Sequence, residues 1–204
     1  MNEIKVEKPA SRGRPRKFDE DAVFEKLTNL FWEKGYEATS MQDMLEATGL
    51  KKSSLYNLFG SKRDLYHQVL DRYIATRMEG FDLMAAQFER PGMGALHGFL
   101  DEVFVFGRAG CMAVNTTTEL GDTDPAIPSR AKEYRDRIRA CLTKVLNAVT
   151  TSENLDTAMV PARTEMLLGF MLGYAIAART GASDQEMDGL TTAAHMTVDT
   201  WANA

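Results

Sequence analysis

Apolar residues recur every three or four positions along most of this chain, which is the spacing of residues on one face of an α-helix. The first predicted helix covers residues 19–34, has acidic residues in its first turn and is followed by Gly35. Its apolar face carries Val23, Leu27, Leu30 and Phe31. A second predicted helix follows Ser40, which forms a capping box with Asp43, and ends at Gly49.

A third, very short helix is predicted in the segment "SSLYNLF", with Ser53 or Ser54 as its N-cap. A helix of this length is unstable alone in water, so contacts with the two preceding helices must hold it. Its apolar face carries Leu55, Leu58 and Phe59. The opposite face is left for the outside and carries Lys52, Ser53, Ser54, Tyr56 and Asn57. Such groups bind phosphates and base edges, so the pattern predicts a helix-turn-helix.

The remainder of the chain predicts six more helices, so we expect an all-α protein of about nine helices. These six cover about residues 61–88, 96–106, 112–120, 125–149, 162–179 and 183–201. Segments rich in Gly, Pro, Asp and Ser, such as "RPGMG" and "GDTDP", separate them. We expect a flexible arm over residues 1–17, a helix-turn-helix domain over 18–64 and a larger helical domain over 65–204.

Composition agrees with a helical protein in solution, since 44% of residues are hydrophobic and 26% are charged. Cys111 and Cys141 form neither a disulfide framework nor a metal-binding spacing, and no metal or cofactor is expected. The N-terminus lacks an apolar signal segment. The longest apolar run, residues 166–178, is 13 residues, shorter than the roughly 20 of a membrane span. We expect a cytoplasmic protein with no membrane partner.

Charge is distributed unevenly along the chain, although the net charge is −5. Residues 8–17 contain five basic residues and no acidic one, whereas residues 63–204 contain 13 basic and 19 acidic residues. A basic end on an acidic body predicts a polyanionic partner bound at that end.

The segment "LFWEKGYEATSMQDMLEATGLKKSSLYNLFGSKRDLY", residues 30–66, resembles the TetR/AcrR family of bacterial transcriptional regulators. The "TGL" turn and the "SLYNLFGSK" segment fall in the family's order and spacing. A second segment, "GCMAVNTTTEL" at residues 110–120, is similar to one branch of the family. The resemblance implies a three-helix DNA-binding domain followed by a helical ligand-binding and dimerisation domain. It also implies a homodimer that binds palindromic double-stranded DNA and is released by a small-molecule inducer.

Residues expected to contact DNA lie in the arm and around the helix-turn-helix. The arm sequence "RGRPRK" resembles an AT-hook, whose arginines enter an A·T-rich minor groove, although it could be only a solubilising tail. Base contacts are expected from Lys52, Ser54 and Asn57, and phosphate contacts from Tyr56, Lys62 and the start of the second helix. The full expected set is Arg12, Arg14, Arg16, Lys17, Thr39, Ser40, Lys51, Lys52, Ser53, Ser54, Tyr56, Asn57 and Lys62.

The larger domain carries two further groups of candidate residues. A largely apolar ligand would contact a pocket formed by His97, Phe104, Cys111, Asn115, Thr118, Phe170 and Tyr174. In the eighth helix a stripe of small residues lets helices approach closely, and in the resembled family the last two helices pair with those of a second subunit. The expected dimer residues are Gly169, Gly173, Ala177 and His195. The alternative for this helix is packing within one subunit.

Three rival functions differ in what they require of the larger domain. An enzyme is not expected, because the sequence has no Ser/His/Asp set, metal cluster or Gly-rich phosphate loop. A repressor that senses electrophiles or oxidants would need a reactive thiolate at Cys111, whose pKa the sixth helix could lower. A ligand-independent architectural DNA binder would need no pocket. The reversible-ligand hypothesis is preferred because free cysteines are more often buried packing residues.

Overall fold

The computed structural model describes residues 19–86 and 92–203, and these ranges contain helices and no strand. The all-α prediction is therefore confirmed, while the predicted arm, residues 1–17, lies outside the described residues. The helices are α1 (Glu20–Lys34), α2 (Met41–Thr48), α3 (Lys52–Phe59), α4 (Lys62–Ala86), α5 (Met93–Gly107), α6 (Met112–Leu120), α7 (Ile127–Ser152), α8 (Val160–Arg179) and α9 (Asp184–Asp199). Short 3-10 helices cover Thr157–Met159 and Thr200–Asn203.

The first helix begins after Asp19, which is its N-cap, and the second begins at its predicted cap. Asp19 accepts the backbone N–H groups of Asp21 and Ala22 at 3.0 and 3.4 Å, which starts α1. Ser40 and Asp43 form the predicted capping box of α2, and Gly49 ends that helix in the left-handed conformation. Local sequence signals alone therefore fix where α2 begins and ends.

The start of α3 differs from the prediction, because Lys51 is its N-cap and neither Ser53 nor Ser54 caps it. The chain leaves the left-handed Gly49 and enters α3 within two residues, so the helix begins at Lys52. Both serines consequently lie inside the first turn. Their hydroxyls are not committed to the cap.

Tertiary contacts hold the short α3 in place, as its length requires. Leu55 and Phe59 are buried, and the ring of Phe59 lies 5.3 Å from the ring of Phe24 in α1 in an edge-to-face arrangement. Leu58 is only half-buried and packs at the margin of the core. α3 is thus held by its contacts with α2 and α4 and by the ring of Phe24 in α1.

Helices α4 to α9 form the larger body around one apolar core. Its most deeply buried side chains include Leu96, Leu100, Met112, Leu142 and Leu167. The longest contact runs between α7 and α8, and α4 packs against both α6 and α7. The domain boundary expected at residue 64 falls within α4. One continuous helix therefore passes from the N-terminal helix-turn-helix domain, here called the reading head, into the larger helical domain, here called the body. No helix in the described ranges is both long and apolar enough to cross a membrane.

A carboxylate from the body holds the loop between α1 and α2. Glu119 in α6 accepts the backbone N–H groups of Tyr36 at 3.0 Å and Glu37 at 2.8 Å. Gly35 has φ +83° and ψ 175°, a conformation that side chains disfavour, and a methyl group there would lie 2.9 Å from both Glu119 oxygens. Gly35 is thus required both by its backbone and by the closeness of this carboxylate.

Charged side chains make two more sets of contacts between the head and the body. Arg63 at the start of α4 makes two bonds of 2.7 and 2.8 Å to the buried carboxylate of Asp124, and His67 Nε2 lies 2.7 Å from the same group. Arg63 above all holds the pKa of Asp124 well below its usual range. Arg179 at the end of α8 donates to the carbonyl oxygens of Trp32 and Glu33, each at 3.0 Å, at the end of α1.

We predict that Gly35→Ala destabilises the protein more than Gly49→Ala. Both residues have positive φ, but Gly49 has open space around it, so alanine there costs about 1 kcal/mol of backbone strain. Alanine at Gly35 adds a less favourable backbone region and displaces Glu119, for a total of about 3 kcal/mol. Urea unfolding of the two variants measures both losses. Equal losses would show that the Glu119 contact contributes nothing to stability.

Candidate nucleic-acid interface

The outward face of α3 is the most concentrated set of exposed polar groups on the reading head. Lys51, Lys52, Ser53, Tyr56 and Asn57 are exposed, whereas Ser54 is half-buried. Because Leu55 and Phe59 fix the opposite face in the core, these side chains project from one rigid surface. A cationic, hydroxyl- and amide-bearing helix face of this kind suits entry into the major groove of DNA.

Tyr56 is the largest side chain on this surface, and 44% of it is exposed. The Lys52 ammonium lies 6.0 Å from the centre of its ring, so the two groups are neighbours on α3. Exposure of this size rules out the alternative that Tyr56 is a core aromatic residue. Its phenol is free to donate to a phosphate oxygen.

Lys62 begins α4 beside this surface and is half-buried. Its ammonium lies 4.3 Å from the ring centre of Tyr36, whose ring in turn contacts Tyr66 edge-to-face at 4.9 Å. Burial is the main cause of the raised pKa of Tyr36, so the ring stays neutral beside the ammonium. The aromatic support restricts where the Lys62 charge can lie.

The start of α2 does not offer the hydroxyls that we expected to bind phosphate. The prediction is wrong for Thr39, because its side chain is fully buried and its hydroxyl donates to Gly35 O at 2.6 Å. Ser40 is exposed, but its hydroxyl donates to Asp43 at 2.7 Å and accepts that residue's N–H at 3.1 Å. Both hydroxyls therefore serve the fold. Any attraction for phosphate here would come from backbone N–H groups.

A cavity of about 30 Å³ lies in the body between α4, α5, α7 and α8, beside the start of α6. Of the predicted ligand residues, Phe104, Cys111 and Tyr174 line it. The other wall residues are Arg77, Phe81, Val103, Gly107, Val114, Tyr134, Ile138, Met171, Leu172 and Ala175. Sequence reasoning missed Arg77, since nothing in its local sequence distinguishes it from a surface arginine. At this volume the cavity has room for little more than water.

Four predicted ligand residues do not line this cavity: Asn115, Thr118, Phe170 and His97. Asn115 is half-buried with a buried amide nitrogen that has no partner, but it does not line the cavity. Thr118 is exposed and its hydroxyl donates to Asn115 O at 2.8 Å. Phe170 is only half-buried and is not part of the wall. The helical register turns these side chains away from the cavity, so their assignment to it is wrong.

His97 and His195 contact each other within one chain. Their Nδ1 atoms lie 2.6 Å apart and their rings stack at 4.9 Å. His97 Nε2 also bonds Asp199 at 2.9 Å, and His195 Nε2 bonds Asp101 at 2.9 Å. The predicted pocket role of His97 is wrong. These bonds join α5 to α9 within one chain, and the interface role of His195 stays a prediction.

Cys111 lies in the cavity wall between two phenols. Its sulfur accepts from Tyr73 at 3.5 Å and lies 3.4 Å from the hydroxyl of Tyr134, and only 6% of the residue is exposed. Burial raises the pKa values of both tyrosines, so both remain neutral. Cys141 is also buried, and burial raises the pKa of its thiol to about 11. Neither thiol faces solvent.

The small-residue stripe of α8 is turned away from the core of its own chain. Gly169 and Gly173 are exposed, and a methyl group at either would meet no atom within 4 Å. Ala177 is half-buried at the edge of this stripe, and the apolar Ile176 beside it is 46% exposed. Met196 on α9 is 65% exposed. The alternative that this stripe serves only packing within one chain is therefore not supported.

A helix-turn-helix head on a helical body with an internal cavity is the architecture of a DNA-binding regulator. Residues 25–69 match the family model "Bacterial regulatory proteins, tetR family". The HTH-type transcriptional repressor ComR of Escherichia coli is 33% identical over 183 residues, which cover 87% of each chain. The chain belongs to the TetR family of bacterial transcriptional regulators. It is a DNA-binding transcriptional regulator, not an enzyme.

Solved structures share the fold. A cysteine-substituted TetR-family regulator, CifR, in complex with a 26-base-pair operator DNA has a TM-score of 0.76 at 20% identity. That match covers 93% of this chain and 100% of CifR. A TetR regulator from Chloroflexus aurantiacus also has a TM-score of 0.76, at 22% identity, with coverage of 88% and 93%. The three-helix head and the helical body are thus a known arrangement.

We predict that the stabilising effect of Asp43 disappears in acid. Its hydrogen bonds with Lys34, at 2.6 Å, and with Ser40 hold its pKa below the usual range. A carboxylate with a lowered folded-state pKa stabilises the fold above its unfolded pKa of about 4, and the effect is lost as pH falls below that value. Urea unfolding of Asp43→Asn should show a deficit at pH 7 that shrinks steadily towards pH 2. Glu46→Gln removes a charge from α2 without touching the cap, and it serves as the control. A pH-independent deficit would contradict the ionic role of Asp43.

Proposed function

We propose that this protein is a homodimeric repressor that binds a palindromic operator and is released by a small molecule bound in the body. The observation that carries the proposal is the Glu119 contact, which ties helix α6 to the reading head. The same helix begins at the cavity wall with Cys111. A nine-residue helix is only about 13 Å long, so a shift at one end is carried to the other.

In the DNA complex α3 would lie in the major groove. Lys52, Ser54 and Asn57 would contact base edges, and Lys51, Ser53, Tyr56 and Lys62 would contact phosphates. The exposure of this face and the aromatic support under Lys62 favour that division. The arm carrying Arg12, Arg14, Arg16 and Lys17 would enter the neighbouring minor groove. Because the DNA of a bacterium lies in the cytoplasm, we expect the protein to act there.

The dimer would form through α8 and α9. The outward glycines of α8 let a second helix approach closely, and the exposed Ile176 and Met196 supply apolar surface beside them. Two chains related by a two-fold axis would present two α3 helices to successive major grooves. This geometry is the reason for expecting a palindromic operator. The half-sites would be about one helical turn apart or somewhat more.

Release would follow from a change in the position of α6. A ligand that enlarges the cavity displaces the start of α6, and Glu119 then moves the loop at Tyr36 and Glu37. A ligand shifts this equilibrium only by its difference in affinity between the two arrangements. The two α3 helices would then no longer match the spacing of the half-sites.

A thiol sensor at Cys111 is the second candidate, favoured by the position of this sulfur in the cavity wall. Its burial between two neutral phenols works against a reactive thiolate, since exposure and nearby positive charge promote reactivity. An architectural binder without a ligand would need no cavity. The unpartnered Tyr174 hydroxyl and Arg77 Nε in the cavity wall therefore favour the reversible-ligand hypothesis.

We predict that Asn57→Ala and Lys62→Ala weaken DNA binding in different ways. Loss of a base contact at Asn57 should cost about 1–3 kcal/mol on the operator and little on scrambled DNA. Loss of the Lys62 charge should weaken both DNAs alike and reduce the salt dependence by about one phosphate contact. Titrations of both variants against both DNAs at several salt concentrations measure this. Equal losses on both DNAs for Asn57→Ala would contradict base recognition.

We predict that Gly173→Glu prevents dimer formation. The bulky charged side chain would occupy the surface where a second α8 approaches, so the variant should sediment as a folded monomer. Its operator affinity should fall by about a hundredfold or more, because only one half-site is then bound. The matched control is Gly94→Glu, which introduces the same side chain at another exposed helical glycine with open space around it. A Gly173→Glu dimer with unchanged affinity would place the interface elsewhere.

A further inference from the structure

Arg77 is the one charged residue among the described residues that line the cavity. Its guanidinium lies between two aromatic rings, 5.9 Å from the centre of Tyr73 and 5.5 Å from that of Phe106. Nη2 makes a long bond of 3.5 Å to the carbonyl oxygen of Phe106. The Nε atom is buried and has no hydrogen-bond partner. No carboxylate in the described part of the chain pairs with this arginine.

Tyr174 supplies a second unpartnered group to the same wall. Only 2% of the residue is exposed, and its hydroxyl is buried without a partner. Its ring packs against Phe104 at 4.7 Å and lies over Gly107, where a methyl group would be only 3.0 Å away. A buried hydroxyl without a partner is unfavourable, so a ligand oxygen that pairs with it gains affinity.

The other polar groups of the wall are neutral and already bonded to one another. Cys111 lies between Tyr73 and Tyr134, and the backbone N–H of Met112 donates to the Tyr73 hydroxyl at 3.3 Å. Burial keeps both phenols protonated, since it raises their pKa values. The charge presented to the cavity by the described residues is thus the single positive charge of Arg77.

We infer that the cavity binds a small organic acid as its anion, with the carboxylate on Arg77 and a ligand oxygen accepting from the Tyr174 hydroxyl. A planar guanidinium with free N–H groups matches a carboxylate, and charge-assisted bonds of this kind are strong in an apolar surrounding. The rest of the wall suits an aliphatic or aromatic body. Aromatic rings can bind a cationic ligand, but the Arg77 guanidinium already lies against these rings and would repel a second cation.

The size of the cavity restricts the acid further. Its volume of about 30 Å³ is far below the 300–1,000 Å³ typical of sites for drug-sized ligands. Entry therefore requires wall residues to move, and the flexible Met171 side chain is suited to this. The acid lies at the small end of the range. This inference rests on the proposal that the cavity is the inducer site, and it names the chemical class of that inducer.

The test compares acids with their neutral amides on the full-length protein. The probes are straight-chain, branched and aromatic monocarboxylates, such as hexanoate, isovalerate and phenylacetate, each beside its carboxamide of nearly equal shape. Calorimetric titration should show at least one acid binding about tenfold or more tightly than its amide. Arg77→Gln should remove this preference and Arg77→Lys should retain part of it, while Tyr174→Phe should weaken acid binding. Arg72→Gln, on the same helix but paired with Asp21, should leave the preference unchanged.

The outcomes separate this inference from the proposed function. Equal affinity for acids and amides, binding of neither, or a preference that survives in Arg77→Gln would overturn the organic-acid assignment. Operator release is measured in parallel by fluorescence anisotropy. Acids that bind through Arg77 but leave the operator complex intact would support the ligand class and contradict the proposed release. Acid preference that persists in Cys111→Ser shows that the carboxylate, and not a thiol adduct, is recognised.

Discussion

The pairing of the Glu119 carboxylate with the backbone N–H groups of Tyr36 and Glu37 fixes the reading head on the body. The loop can present those groups only because Gly35 adopts a backbone conformation that leaves room for the carboxylate. Arg179 holds the end of α1 from the other side. In the proposed release, a movement of α6 would reach the head through the Glu119 contact.

The outward face of α3 also depends on a small number of contacts. A helix of eight residues has little stability of its own, so Leu55 and Phe59 supply the burial that keeps α3 helical. The outward side chains of α3 therefore project from a helix that the core holds in place. At the start of α2 the hydroxyls of Thr39 and Ser40 are used to build the loop and the cap instead. In the proposed DNA complex, recognition would therefore rest on α3 and Lys62.

The body carries a net negative charge, whereas the charged residue in its cavity wall is the half-buried Arg77. Because the Nε of this arginine is buried without a hydrogen-bond partner, an anion in the cavity would be stabilised there. A ligand that neutralises Arg77 therefore stabilises whichever arrangement of α6 accommodates it. In the proposed release, the short helix α6 would connect the ligand site with the head.

The sequence alone determined the helices, the cap of α2 and the outward face of α3, because periodicity and capping act within a few residues. It also determined the family, through the residues from 30 to 66. Tertiary structure alone decided that His97 pairs with His195 and that Thr39 is buried. It likewise brought Glu119 to the α1–α2 loop and Arg77 to the cavity wall. These contacts join residues far apart in the chain. Their formation depends on how the helices pack against one another, which local periodicity does not determine.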